Sequence, residues 1–108
     1  MEYLGSLISV KNISLSKAFY EELFGLKIKF DFGKNIAFDC GLYLQEDFSK
    51  YLDISENEIK YKSNNFEIYF EEENFDEFIS KLEKIETIEY VHSVKEFSWD
   101  NEIFVFMI

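Results

Sequence analysis

The sequence predicts an α+β domain in which one strand–helix–strands unit is used twice. Three observations carry that reading. In each half an alternating stretch gives way to helical spacing and then returns to alternation. The two helix starts, near Asn12 and at Asn74, lie about 60 positions apart. Hydrophobic residues make up 47% of the chain, with 13 Phe and 7 Tyr among them, far too many for a disordered chain. At 108 residues the chain has the usual size for one core.

Leu4 to Val10 is apolar and β-branched and breaks at Lys11-Asn12, which predicts a first strand. Ser14 is placed to cap a helix of about ten residues whose Leu15, Ala18, Phe19 and Leu23 recur near the helical period. Gly25 sits where a left-handed stop belongs. From Leu26 the period becomes two, so Leu26, Ile28, Phe30 and Phe32 are expected on one face and Lys27, Lys29 and Asp31 on the other. Gly33-Lys34-Asn35 supplies a turn, Ile36, Phe38 and Cys40 alternate with Ala37 and Asp39, and Gly41 opens a strand that runs to Gln45. The first module is therefore βαβββ, over about residues 1–47.

Residues 48–63 are charged and without a clean period, and are expected to connect the modules, with Phe48, Tyr51 and Leu52 forming a short helical turn. The second module, about residues 64–108, starts on the sharpest alternation in the chain: Phe66, Ile68 and Phe70 against Glu67, Tyr69 and Glu71. Asn74 followed by Glu77 reads as a capping-box pair, and Phe75, Phe78, Ile79, Leu82 and Ile85 form a helical stripe. Then come a strand from Thr87 to His92, a polar turn at Ser93 to Lys95, a strand about Phe97 and a closing run from Ile103 to Ile108. With the apolar faces on the helices, the opposite faces, bearing Gln45, Glu67, Tyr69 and His92, are expected to look into a shared cavity.

The formal charge of -11 comes from 22 acidic residues against 11 basic ones, and argues against binding a phosphate backbone. It either attracts a cationic ligand or simply keeps a Phe-rich protein soluble. The longest uncharged apolar run, Ile103 to Ile108, falls far short of the roughly 20 residues of a membrane helix. The start Met1-Glu2-Tyr3 carries no basic region or cleavage site, so a cytoplasmic location is expected. The single cysteine, Cys40, can form no internal disulfide and is expected to be a small buried hydrophobe.

Several of these segments resemble a known family. Val10-Lys11-Asn12-Ile13, with Ser16, Phe19-Tyr20-Glu21 and Phe24-Gly25-Leu26, is similar to the opening of vicinal oxygen chelate proteins. That superfamily contains glyoxalase I, bleomycin-resistance proteins, fosfomycin-modifying enzymes and extradiol dioxygenases. Phe66-Glu67-Ile68-Tyr69-Phe70, Asn74-Phe75-Asp76-Glu77-Phe78, Tyr90-Val91-His92 and Ser98-Trp99 follow in the order that family uses, so the likeness spans nearly the whole chain as a single domain. It implies two βαβββ modules of the glyoxalase/bleomycin-resistance fold, the second of them one strand short. In metal-dependent members it implies four ligands around a divalent ion acting as a Lewis acid. Carried over residue by residue, the first-strand histidine falls on Gly5, the fourth-strand position near Gln45 and the position opening the second module on Glu67. The final glutamate would lie beyond Ile108.

Two oxygen ligands do not make an octahedral site, so no cofactor is expected, with Gln45, Glu67 and His92 the weak candidates should a metal bind. His92 reads either as a hydrogen-bonded histidine in the sheet wall or as a general acid or base. No Ser-His-Asp or Cys-His arrangement can be assembled. Glu67, Tyr69 and Glu71 read either as a solvated strand face or, with Trp99, His92 and Gln45, as a ligand site for a cationic or hydrogen-bonding small molecule. The reading is a metal-free small-molecule-binding protein, acting as a homodimer that covers the apolar closing strand. Its alternatives are a divalent-metal lyase or transferase of the glyoxalase type, and a degenerate interaction module.

Overall fold

The computed structural model describes residues 1–63, 65–86, 89–97 and 100–107. They form two compact units, Met1–Tyr61 and Lys62–Ile108. No helix among the described residues is long and apolar enough to cross a membrane.

In the first unit β1 (Ser6–Ser9), α1 (Ile13–Phe24), β2 (Ile28–Asp31), β3 (Asn35–Phe38) and β4 (Leu42–Gln45) follow the expected order. The strands make one sheet in the order β1-β4-β3-β2, with β1 parallel to β4 and the other pairs antiparallel. The helix starts two residues earlier than expected. Asn12, not Ser14, is the cap: its side-chain oxygen accepts from the Leu15 N–H at 3.1 Å. The Glu46 carboxylate accepts from the Ile13 N–H at 3.0 Å, so the end of β4 satisfies a second orphan donor of the helix. Gly25 closes the helix in the left-handed region at φ 65°, as its position predicts.

The core lies between α1 and one face of the sheet. Tyr20, Ile36, Phe38, Leu42 and Leu44 are buried there, with Ile8, Val10, Ile13, Phe19, Phe24, Leu26 and Ile28 packed around them. Tyr20 stacks on Phe24 with ring centroids 5.7 Å apart, and burial pushes its hydroxyl pKa up to about 12. Each fully buried apolar side chain contributes roughly 1.5–3 kcal/mol.

Two expectations for this unit are corrected. Ile28 lies opposite Phe38, but Phe30 lies opposite Ala37, because a bulge at this point of β2 shifts the register. The extra residue turns Phe30 to the other face from Ile28, where it is half exposed and stacks on Phe32. Cys40 is exposed rather than buried, since β3 ends at Phe38 and Cys40 falls in the turn before Gly41.

The connector belongs to the first unit. Phe48–Leu52 forms the expected short helix, α2, and Glu56–Glu58 a 3-10 turn.

In the second unit α3 (Phe75–Glu83) buries Leu82 completely, while Asn74 donates to the Glu77 carboxylate across the first turn. The strand expected over residues 65–71 is not formed. Its backbone joins no ladder among the described residues, and residues 65–71 are exposed throughout. Alternation marks a strand only where a neighbour takes up its N–H and C=O groups. The turn expected at Ser93 to Lys95 is also absent, since β5 runs without a break from Glu89 to Phe97 and pairs antiparallel with β6 (Asp100–Met107). The register of this pair shifts between Tyr90 and His92, between His92 and Lys95 and between Lys95 and Phe97.

Candidate functional site

Residues paired across neighbouring strands point to the same side of a sheet. On the side away from α1, the register places Leu7, Tyr43, Ala37 and Phe30 in one row across all four strands. The next row holds Ser9, Gln45 and Asn35. At the usual strand spacing the first row is about 14 Å wide, the length of a two- or three-ring molecule. One row is apolar and aromatic, the other polar.

The polar row is partly wired. Asn35 Nδ2 donates to Gln45 Oε1 at 2.8 Å, and Gln45 Nε2 donates to the Glu46 carbonyl at 2.8 Å. Ser9 Oγ is shut off from solvent and has no hydrogen-bond partner. Beside it the connector folds into a polar clasp. Ser49 Oγ donates to one oxygen of Glu56 at 2.6 Å, and the Tyr61 hydroxyl donates to the other at 2.8 Å. The Ser49 bond first, then that of Tyr61, holds the Glu56 carboxyl below its usual range. The same Glu56 carboxylate pushes the Tyr61 pKa up, keeping the phenol a neutral donor. Lys11 Nζ lies 4.9 Å above the centre of the Tyr61 ring.

A helix across one face of a βαβββ sheet, with two such rows on the other face, is the half-unit that the sequence resemblance implies. The model of the glyoxalase-like domain matches residues 3–107. The chain belongs to the glyoxalase-like domain family.

Solved structures agree on the fold of this glyoxalase-like domain. A protein of unknown function from Agrobacterium tumefaciens strain C58 is 27% identical, with a TM-score of 0.80 over 98% of this chain and 84% of that one. Lactoylglutathione lyase from Agrobacterium tumefaciens is 20% identical, with a TM-score of 0.59 over 94% of this chain and 80% of that one. No match is found among proteins of curated function.

The first unit of this glyoxalase-like domain does not fit the metal centre of metal-dependent relatives. A Cβ on Gly5 would sit 1.9 Å from the Gly41 carbonyl oxygen, and Gly5 itself has φ +147°, so no ligating side chain can be built there. Both ends of the Gln45 amide are engaged. Among the described residues no three His, Cys, Asp or Glu side chains come together as a metal would require.

Of the other residues singled out in the sequence, Glu67, Tyr69 and Glu71 are exposed on a segment that is not a strand, so the shared strand face expected for them is not formed. His92 lies on β5, paired in register with Val105. Trp99 lies outside the described residues. The face away from α1 brings together Gln45 with Ser9, Asn35 and Tyr43, which sequence reasoning passed over. Their signal was present: each is spaced by two from another residue of the same face in its strand, but only the register shows that the strands align them.

Proposed function

We propose that this glyoxalase-like domain binds a small organic molecule on the open face of its first sheet, without a resident metal. The observation that carries the reading is the pair of rows. An apolar row of Leu7, Tyr43 and Phe30, laid over the buried Ala37, takes the body of a ligand, and the hydrogen-bonding capacity left on the paired Asn35 and Gln45 amides serves one end. A thermal-shift screen of chelator-treated protein against aromatic and heteroaromatic compounds tests it. Stabilisation that Tyr43→Ala abolishes is expected, and uniform absence of stabilisation contradicts the reading.

The lyase alternative takes its support from the likeness to lactoylglutathione lyase, and it requires ligands that Gly5 and Gln45 do not supply. Metal analysis of protein purified without chelator separates the two, because stoichiometric divalent metal would favour the lyase. The homodimer and the cytoplasmic location remain part of the proposal. Light scattering at micromolar concentration is expected to give twice the monomer mass of 13.0 kDa.

A further inference from the structure

We infer that two copies of this chain associate by strand addition: residues 65–71 of one copy pair antiparallel along the free edge of β2 in the other, with Glu71 and Glu73 set against Lys27 and Lys29. The pairing rests on the proposed homodimer and names the surfaces that form it.

β2 is an outer strand of its sheet, bonded to β3 on one side only, so alternate N–H and C=O groups along its other side face no strand. Phe30 and Phe32 stand exposed at this edge, their rings stacked with centroids 5.8 Å apart. Residues 65–71 are exposed, alternate cleanly and join no ladder among the described residues. Extended, they put Phe66, Ile68 and Phe70 on one side and Tyr69 on the other, so either side brings an aromatic side chain to the Phe30–Phe32 pair.

Charge selects the partner and the direction. The approach to β2 is basic: Lys27 and Lys29 are exposed, neither makes an ion pair among the described residues, and Lys29 Nζ lies 5.6 Å from the centre of the Phe30 ring. The end of β2 is acidic, at Asp31. The second segment runs from neutral, at Asn65 and Phe66, to acidic, at the exposed Glu71 and Glu73. Antiparallel pairing sets that acidic end beside Lys27 and Lys29, whereas parallel pairing sets it beside Asp31.

Lysines at an edge also oppose pairing of β2 with the β2 of another copy, which leaves the edge guarded against itself and receptive to an acidic strand. β1, the other outer strand, has no charged residue from Ser6 to Ser9 and makes no such selection. A second copy supplies the acidic strand at the same concentration as the edge that receives it. The net charge of -11 on each copy opposes the encounter only weakly, since charges more than about 8 Å apart are largely screened at physiological ionic strength.

The test is a charge exchange in the full chain, followed by sedimentation equilibrium. K27E/K29E and E71K/E73K are each expected to raise the dimer dissociation constant about tenfold or more, because attraction at two positions becomes repulsion. An equimolar mixture of the two variants is expected to restore the dimer, since each edge then meets a segment of opposite charge. In the wild type, hydrogen exchange at the amides of Phe66 to Phe70 is expected to slow as protein concentration rises. All four substituted side chains are exposed, so both variants are expected to keep the fold, which circular dichroism checks. A dimer that neither reversal weakens leaves the homodimer standing and overturns the strand addition. Weakening by both reversals with no recovery in the mixture overturns it as well. A wild type that stays monomeric throughout the micromolar range overturns the homodimer and the strand addition together.

Discussion

The two halves of this chain carry the same alternating pattern and reach different outcomes. In the first unit every alternating stretch finds a neighbour: β1 pairs with β4, β4 with β3 and β3 with β2. In the second, Phe66 to Glu71 alternates more cleanly than any of them and stands exposed outside a ladder. The charge differs as well, with seven Lys against ten acidic residues up to Tyr61 and four against twelve beyond it. A pattern of side chains proposes a strand; hydrogen-bonded neighbours and a covering layer make one. The first half supplies both, since its strands pair with one another and α1 covers them with Tyr20.

The comparison is broken most severely in the core. Leu44→Ala removes a side chain with 0% exposure and is expected to cost about 2–5 kcal/mol, while Ile68→Ala, on a side chain 38% exposed, is expected to cost under about 1 kcal/mol. Urea unfolding of the two variants measures the difference, and equal losses would mean that residues 65–71 are as well packed as β4.

The next effect concerns β1. Gly5→Ala places a Cβ against the Gly41 carbonyl and is expected to destabilise by about 2–4 kcal/mol, combining backbone strain with overpacking. Gly33→Ala, at φ +84° in open space, is expected to cost about 1 kcal/mol from conformation alone. A Gly5 variant no worse than the Gly33 variant would remove the steric bar to a ligand at position 5.

Smaller is the loss of the helix cap, where Asn12→Ala is expected to lower stability by about 1 kcal/mol and Ser14→Ala by a few tenths. Thermal unfolding of the pair distinguishes the two capping assignments.

The smallest effect is on the clasp beside the site. The Glu56 carboxyl is held below its ordinary value in the folded chain, so its contribution is complete above the unfolded carboxylate pKa and is lost as pH falls through the lower folded value. Tyrosine fluorescence or the Tyr61 ring signals are expected to change in that acidic window, and Glu56→Gln to abolish the change.

Much of the first unit was legible because local signals and tertiary contacts agree there, as Gly25 and the strand Leu42–Gln45 show. Several of the misses share a physical source. The bulge beside Ile28 and the unbroken β5 through Ser93 depend on how strands register with each other, which no single strand encodes. The site was half legible for the same reason. Gln45 stood out from the family pattern, whereas Ser9 and Asn35 gain meaning only as its neighbours across the sheet.

Chemical-shift mapping on chelator-treated protein with a bound aromatic compound tests the central claim most directly. The expected result is a set of perturbed amides at Leu7, Ser9, Asn35, Ala37, Tyr43 and Gln45, unchanged when divalent metal is added. Perturbation confined to other surfaces, or binding that appears only with metal, would contradict it.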